Sequence, residues 1–429
     1  MKYAIVTFGC RVNQADSFQI EEQLIAAGGS ASAAHHADLV VVNTCSVTSS
    51  ADQGTRQIVR KIARENPAAR IVVTGCYATR RPDEVAALPG VVQIVPNDRK
   101  EQFVHVIGLA APTPDRAEAG LTTAQRFGSG DGACGAEIAP GLAGRTAFTL
   151  RVQTGCDQTC SYCIIPSTRG IGRSRLRREV LSEIDRVRDA GYREVAITGV
   201  HLGSYGRDLA EGSTLLDLLK TIERHAPGLR FRISSLEPMD CSDDIVDLVA
   251  ASTCIAPHFH LPLQHASDAM LVAMRRPYTL AYYRRLVDRI RRDIPHASIG
   301  TDIIVGFPGE TDDDFAVLAA YLRESPITHA HVFPYSDRPG TAAADLPGRV
   351  HGSIVRERAA TVRAIGRELN QRFHESQDGA VRPGLTIEDG SLVVTDNYLK
   401  VRIPPGLPRN EWVHVAITGR GDSLVGAVV

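Results

Sequence analysis

Residues 155–163 read Gly155-Cys156-Asp157-Gln158-Thr159-Cys160-Ser161-Tyr162-Cys163. This C-x-x-x-C-x-x-C loop follows an apolar, strand-like run, and its three thiols (Cys156, Cys160 and Cys163, here the loop triad) can face one point. Three thiolates on a 4Fe-4S cluster leave the fourth iron open. The amino and carboxyl groups of S-adenosylmethionine (SAM) can chelate such an iron, which brings the sulfonium beside the cluster for one-electron cleavage.

A structural zinc site is the alternative interpretation of the loop. Such sites usually combine two Cys-x-x-Cys or Cys/His pairs. No second pair accompanies the loop, so the spacing favours redox chemistry.

Around the loop, strand-like apolar runs alternate with helix-like stretches, which is typical of β/α units. The candidate strands are residues 148–152, 195–200, 229–234, 258–263, 298–305 and 330–335. Six units predict a partial (β/α)6 barrel rather than a closed barrel of eight strands. A basic helical stretch over 355–373 follows.

The first part of the chain has the same alternation. Candidate strands at 3–8, 39–42, 71–73 and 91–95 are separated by helix-like stretches such as 16–27 and 53–65, which predicts a parallel α/β sheet.

Three further cysteines follow three of these strands: Cys10, Cys45 and Cys76, here the strand-end triad. They are spaced by 35 and 31 residues, about the length of one βαβ unit. Ligands of parallel sheets bind beyond the carboxyl ends of the strands, so these thiols should converge on a second three-cysteine cluster. The alternative is that they are small buried hydrophobes, but repetition at three equivalent places argues against it.

The end of the chain changes pattern. Short alternating runs at 385–387, 392–395, 399–403, 412–418 and 423–428 predict a small antiparallel β-barrel of the OB type. Residues 112–145, rich in Gly, Ala and Pro, are interpreted as a linker.

Composition limits the possible functions. The 429 residues include 48 basic and 49 acidic side chains, so RNA binding would have to come from local patches. The sequence has no leader-like segment and no long apolar run, which predicts a cytoplasmic protein without a membrane span. Cys134, Cys241 and Cys254 have no partner at ligand spacing and are interpreted as structural. The histidines at 258, 260, 265 and 331 are interpreted as core or rim residues.

Several motifs occur in the order of one known family. They are TFGCRVNQ (7–14), NTCSVT (43–48), VTGCY (73–77), CSYCIIP (160–166), TRG (168–170), SSLEP (234–238), HLPLQ (260–264), TDIIVGFPGET (301–311) and VFPYS (332–336). Over nearly its whole length the chain resembles the radical SAM methylthiotransferases, and within them the group acting on threonylcarbamoyladenosine in tRNA.

The resemblance implies an order of domains. These are an N-terminal methylthiotransferase domain (1–112), a linker (113–143), a radical SAM domain (144–374) and a C-terminal TRAM domain (375–429), which is the small OB-like barrel. It also implies two 4Fe-4S clusters and SAM as cofactors, with the loop triad on the catalytic cluster and the strand-end triad on the other.

The implied reaction is sulfur insertion. An electron from a reduced flavodoxin or ferredoxin cleaves SAM, and the 5'-deoxyadenosyl radical removes hydrogen from C2 of the modified adenosine. The second cluster supplies the sulfur, which another SAM methylates. The product is 2-methylthio-N6-threonylcarbamoyladenosine at position 37 of tRNA, in the anticodon loop, where a base can be splayed out. The sequence does not identify the source of the sulfur.

Polar and glycine positions at the barrel rim are candidate SAM contacts: Gly199, Gly203, Ser235, Glu237, Gln264 and Gly306. Residues 145–178 contain seven arginines and one acid, which predicts RNA phosphate contacts beside the loop triad. The candidate RNA contacts are Arg169, Arg173, Arg175 and Arg177, with Tyr398, Lys400 and Arg402 on the terminal barrel.

Other functions share these features. Relatives with both cysteine sets act on isopentenyladenosine in tRNA or on an aspartate of a ribosomal protein, and Gln264-His265 is similar to the ribosomal-protein relatives. A zinc-bound RNA-binding protein without catalysis is a different class, which metal analysis would distinguish.

Overall fold

The computed structural model describes residues 1–109, 146–419 and 423–429. The predicted linker over 113–143 and Cys134 lie outside these ranges. Within them, no helix combines the length and the apolar character needed to cross a membrane.

The N-terminal part is a five-stranded parallel sheet with strand order β2-β1-β3-β4-β5. Its strands are β1 (Lys2–Thr7), β2 (Ser30–Ala31), β3 (Leu39–Thr44), β4 (Arg70–Gly75) and β5 (Val91–Val95). Its helices are α1 (Arg11–Ala26), α2 (Ser49–Glu65), α3 (Cys76–Arg80), α4 (Pro82–Ala86) and α5 (Phe103–Val106). Every residue of β3 is buried, as expected of a central parallel strand covered on both faces.

Helix α1 begins at Arg11, directly after Cys10, and not at residue 16 as the apolar pattern predicts. Its first turn carries the buried polar side chain of Asn13 next to the buried Val12. Asn13 Nδ2 donates to the carbonyl oxygens of Phe8 and Thr44, at 2.9 and 2.8 Å. The start of α1 is therefore fixed by polar contacts to the loops that carry the strand-end triad, which a hydrophobic periodicity cannot reveal.

The middle of the chain forms the predicted six-stranded open barrel. Its parallel strands are β6 (Phe148–Arg151), β9 (Glu194–Thr198), β10 (Arg230–Ile233), β11 (His258–His260), β12 (Ser298–Val305) and β13 (His329–Pro334). The pairing runs β6-β9-β10 and β11-β12-β13, and a bridge between Phe231 and Ile255 joins the two halves. A short antiparallel pair, β7 (Gln153–Thr154) and β8 (Arg173–Ser174), brackets the segment that carries the loop triad.

Helices cover the outside of this barrel. They are α6 (Ile165–Arg169), α7 (Arg177–Asp189), α8 (Leu215–His225), α9 (Asp243–Ala251), α10 (Asp268–Ala273), α11 (Leu280–Asp293), α12 (Asp312–Glu324) and α13 (Gly352–Glu375). Threonine hydroxyls cap three of them, since Thr214, Thr279 and Thr311 accept backbone N–H groups at the starts of α8, α11 and α12.

The C-terminal part is a closed five-stranded barrel with order β14-β15-β16-β18-β17. Its strands are β14 (Val381–Ile387), β15 (Leu392–Thr395), β16 (Lys400–Arg402), β17 (Trp412–Ile417) and β18 (Leu424–Val428). It docks on the larger barrel through Arg232, whose guanidinium donates to the carbonyl oxygens of Thr395 and Asp396.

A buried charge cluster joins the N-terminal sheet to the barrel. Asp16 on α1 is fully buried and lies 2.6 Å from Lys100 Nζ and 2.9 Å from Arg169 Nη2, and it also contacts Arg151 Nη1. Burial alone would raise the pKa of Asp16, but the three cations hold it well below its usual range. The cluster fixes the strand-end triad against the barrel mouth.

Candidate active site

The strand-end triad lies at the carboxyl edge of three neighbouring strands, as the sequence predicts. Cys10 and Cys45 follow β1 and β3, and Cys76 begins α3 directly after β4. Burial raises the pKa of Cys45 to about 11, and the neighbouring thiols of Cys10 and Cys76 add to this rise. Cys45 and Cys76 are buried, and Cys10 is exposed.

Glycine makes the approach of these thiols possible. Gly9 has φ +98°, and a Cβ on it would lie 2.7 Å from Cys45 Sγ. The backbone N–H of Val47 points at the same sulfur from 3.5 Å, and Asn97 Nδ2 lies 3.7 Å from Cys76 Sγ. Three thiols with donors aimed at two of their sulfurs fit a cluster with one open iron.

The loop triad is surrounded by hydrogen-bond donors. The backbone N–H groups of Gln158 and Ile165 each lie 3.4 Å from a sulfur, of Cys156 and Cys163 respectively. Burial raises the pKa of Cys163 to about 12. This donor set also fits a 4Fe-4S cluster, whose sulfur ligands are commonly hydrogen-bonded.

Arg276 supplies the third sulfur contact of this loop. Its Nη1 donates to Cys160 Sγ at 3.1 Å, its Nε donates to the Tyr278 hydroxyl at 3.0 Å, and its Nη2 pairs with Glu237. The sequence analysis did not single out Arg276, so its position beside the cluster loop was missed.

His201 approaches Cys156 from the end of β9. Its Nε2 lies 2.7 Å from Asp240 Oδ2. Burial alone would lower the pKa of His201, but hydrogen bonds to Asp240 and Cys156 raise it to about 9. Gly203 allows this pair to form, because any Cβ at that position would collide with Asp240.

Two cavities connect the cysteine sets. One, of about 820 Å³, is lined by all of the strand-end triad, by the rim residues Gly199 and Ser235, and by Tyr398 of the terminal barrel. The other, of about 190 Å³, is lined by Cys163 and Gln264. Both share Ile165 and Asp302 as wall residues, so the strand-end triad and Cys163 of the loop triad open onto adjoining spaces.

Comparisons with known proteins show to which family a chain with these two thiol triads belongs. Residues 2–96 match a family described as Uncharacterized protein family UPF0004, and residues 150–322 match the Radical SAM superfamily. The chain is 33% identical over 410 residues to the threonylcarbamoyladenosine tRNA methylthiotransferase MtaB of Bacillus subtilis, covering 93% of this chain and 89% of the relative. The chain belongs to the radical SAM methylthiotransferase family.

This radical SAM enzyme is similar to other members as well. It is 33% identical over 436 residues to the tRNA-2-methylthio-N(6)-dimethylallyladenosine synthase of Acidothermus cellulolyticus, covering 100% of this chain and 84% of the relative. The solved radical S-adenosylmethionine methyltransferase TsrM of Kitasatospora setae shares the fold, with a TM-score of 0.55 at 15% identity over 80% of this chain and 77% of that chain. The predicted family, fold class and enzyme class are confirmed, and membership implies a 4Fe-4S cluster and SAM.

The predicted SAM contacts of this enzyme occupy different environments. Gly199 and Ser235 line the larger cavity and Gln264 the smaller one, with Gln264 in a left-handed conformation at φ 68°. Glu237 is paired with Arg276. Gly203 packs under Asp240, and Gly306 packs against Val355 with its N–H on Glu310.

Two of the predicted RNA contacts need correction. Arg169 is buried on Asp16 and Asn13, and Arg175 is also buried, so neither guanidinium is available to a surface phosphate. Arg173 is exposed, and Arg177 is partly exposed with Glu211 at 3.3 Å. On the terminal barrel, Tyr398, Lys400 and Arg402 are exposed.

The larger cavity also holds a cluster of three histidines, of which the sequence analysis interpreted His260 and His331 as core or rim residues and did not name His329. One ring nitrogen each of His260, His329 and His331 lies within 4.8 Å of the others, and Gly300 leaves room for the first two rings. His260 Nε2 lies 3.0 Å from Asp302 Oδ1. Burial lowers the pKa of His329 to about 3 and also lowers that of His331, so these rings are neutral at pH 7. The signal was the repeated His-x-His pattern at 258–260 and 329–331.

Proposed function

We propose that this enzyme transfers a methylthio group to C2 of N6-threonylcarbamoyladenosine at position 37 of tRNA, giving 2-methylthio-N6-threonylcarbamoyladenosine. The relationship to the Bacillus subtilis enzyme named for this substrate supports the assignment. The observation that carries it is the pair of adjoining cavities, one lined by the whole strand-end triad and the other by Cys163 of the loop triad, since sulfur insertion needs a radical source and a sulfur source beside one substrate.

The loop triad would hold the catalytic 4Fe-4S cluster, and the strand-end triad a second one. When bound, these groups and SAM supply the radical that removes hydrogen from C2 and the sulfur that replaces it. The protein contributes donors to the sulfur ligands, from Arg276 and the backbone at 158 and 165. Rim residues Gly199, Ser235 and Gln264 line the space in which SAM and the adenosine would meet.

The RNA surface in this proposal consists of the exposed cations and the aromatic ring that remain after the correction above. They are Arg173, Arg177, Tyr398, Lys400 and Arg402. An exposed aromatic ring with basic neighbours suits stacking and phosphate contacts to a single-stranded anticodon loop. The electron for SAM cleavage would come from a reduced flavodoxin or ferredoxin. The division of the chain into four segments, with boundaries after residues 112, 143 and 374, stays a prediction.

Nucleoside analysis tests the function. Cells that lack the gene should accumulate N6-threonylcarbamoyladenosine in digested tRNA and lose the species heavier by CH2S. A plasmid copy should restore it, and a copy with the strand-end triad changed to alanine should not.

The same samples test the alternatives. Loss of the methylthio form of isopentenyladenosine instead would assign the enzyme to the substrate of the Acidothermus relative. Loss of the methylthio group from the ribosomal protein alone would contradict a tRNA substrate.

A further inference from the structure

Arg11 is a cation inside the active-site cavity whose contacts are all neutral. Its Nη1 donates to Ser234 Oγ at 3.2 Å and its Nη2 to the Tyr398 hydroxyl at 3.0 Å, with the guanidinium 5.8 Å from the centre of that ring. Among the residues that the structure describes, no carboxylate lies within ion-pair distance of Arg11. The side chain is thus positioned by one residue from each of the two other parts of the fold.

The charges of the cavity wall do not balance. Arg11, Arg169 and Lys400 are cationic, and Asp16 compensates Arg169. The acidic side chain on this wall, Asp302, is engaged by His260. Two cations, Arg11 and Lys400, therefore face the cavity with no acidic partner within the described ranges.

Burying an unpaired guanidinium partly out of water costs free energy unless a bound anion pairs with it. Arg11 donates hydrogen bonds to two hydroxyl groups, which fix the plane of its guanidinium. Neither hydroxyl carries a negative charge that would balance the charge of the guanidinium. Tyr398, which holds it, has φ 70°, a conformation that non-glycine residues keep only where the surroundings impose it. These features together describe a preorganised anion site.

We propose that Arg11, with Lys400 beside it, binds the carboxylate of the amino-acid substituent on N6 of the substrate adenosine. This inference rests on the proposed function, and it assigns to Arg11 and Lys400 the selection of the modified adenosine. Arg11 follows Cys10 in the chain and lines the same cavity, while C2 and N6 lie on the same edge of adenine. A base with C2 at the strand-end triad therefore points its N6 substituent along the wall that carries Arg11.

The same site would reject an isopentenyl substituent. That group has no charge, so its entry would exclude water from Arg11 without replacing the lost hydrogen bonds. A methylthiotransferase with this residue should thus prefer the carboxylate-bearing nucleoside although its thiol triads are common to the family.

Binding of two anticodon stem-loops tests the proposal. They have one sequence and differ only in N6-threonylcarbamoyladenosine or adenosine at position 37, so their phosphates are identical. Cluster-reconstituted wild-type enzyme should bind the modified RNA more tightly. Because a hydrogen bond to a charged group contributes about 1.5–3 kcal/mol, Arg11→Gln should reduce that preference about 10- to 150-fold, or abolish it, without weakening binding of the unmodified RNA.

Two matched variants control the comparison. Arg11→Lys retains the charge and should keep part of the preference, while Arg292→Gln removes an exposed arginine on α11 and should change nothing. Iron content, measured for each variant, verifies that the change next to Cys10 leaves the strand-end triad loaded.

Three outcomes would overturn the proposal. Equal weakening of both RNAs would place Arg11 on a backbone phosphate, and a weaker SAM affinity with an intact RNA preference would place it on SAM. An unchanged preference in Arg11→Gln would exclude any contact with the substituent. Failure of the proposed function looks different, because the wild-type enzyme would then show no preference and form no methylthio product.

Discussion

Replacing Asp16 with asparagine removes the carboxylate that three buried cations share, while keeping the volume of the side chain. Lys100 Nζ and Arg169 Nη2 lie 2.6 and 2.9 Å from its oxygens, and Arg151 contacts it as well. Removing one partner of a buried ion pair typically costs about 3–5 kcal/mol, because the remaining charge is uncompensated. The expected loss is thus a large part of a typical total stability of about 5–15 kcal/mol.

Urea denaturation of the cluster-free protein measures this loss. Asp16 and Lys100 belong to the N-terminal part of the fold, and Arg151 and Arg169 to the barrel part, so the variant should release the N-terminal part at a lower urea concentration. Limited proteolysis should then cut there first. Asp83→Asn makes the same chemical change at an exposed position of α4, also in the N-terminal part, and should shift the midpoint little. Equal urea midpoints for the two variants would refute a stabilising role for the buried charge cluster around Asp16.

The effect of Asp16 also has a defined pH dependence. Because the cations hold the pKa of Asp16 below its usual value of about 4, its contribution is complete above that value and is lost as the pH falls through the folded-state pKa. Wild type and Asp16→Asn should therefore differ fully at pH 7 and converge only in strong acid. A difference that disappears between pH 5 and 7 would contradict this assignment.

Three further predictions concern the metal sites. Changing the loop triad to alanine should remove about half of the iron of the reconstituted protein and all SAM cleavage, and iron at the wild-type level would contradict its assignment. Changing the strand-end triad to alanine should leave 5'-deoxyadenosine formation but abolish the methylthio product, so normal product would refute a sulfur-insertion role. Arg276→Met should keep the iron but lower the reduction potential of the catalytic cluster, because a donor and positive charge 3.1 Å from Cys160 Sγ are lost; an unchanged potential in a redox titration would exclude that contact.

The sequence predicted that the strand-end triad gathers at one edge of the sheet because its residues repeat in a regular local context. Each member of the strand-end triad follows a strand, and β1, β3 and β4 are neighbours in one parallel sheet. The apolar run of β3 identified the sheet, and parallel pairing then brought the strand ends together.

Charge runs were less informative. Arg169 and Arg173 look alike in the sequence, yet one is buried and the other is exposed. The difference comes from Asp16, which is 153 residues away from Arg169 and belongs to another part of the fold. A run of arginines reveals the charges but not their partners, and only the partners decide between an interface and an RNA surface.

Residues for the radical chemistry and residues proposed for substrate recognition differ in how far apart they lie in the sequence. The loop triad spans eight residues, so it is visible in the sequence and common to enzymes with different substrates. The contacts that hold Arg11 join residues 223 and 387 positions apart, through Ser234 and Tyr398. The anion site proposed at Arg11 is assembled from three parts of the fold, so its charge could change by substitution at one position outside both thiol triads. Relatives named for two different nucleosides are both 33% identical to this chain, which is the pattern expected if substrate choice diverges while the radical chemistry stays fixed.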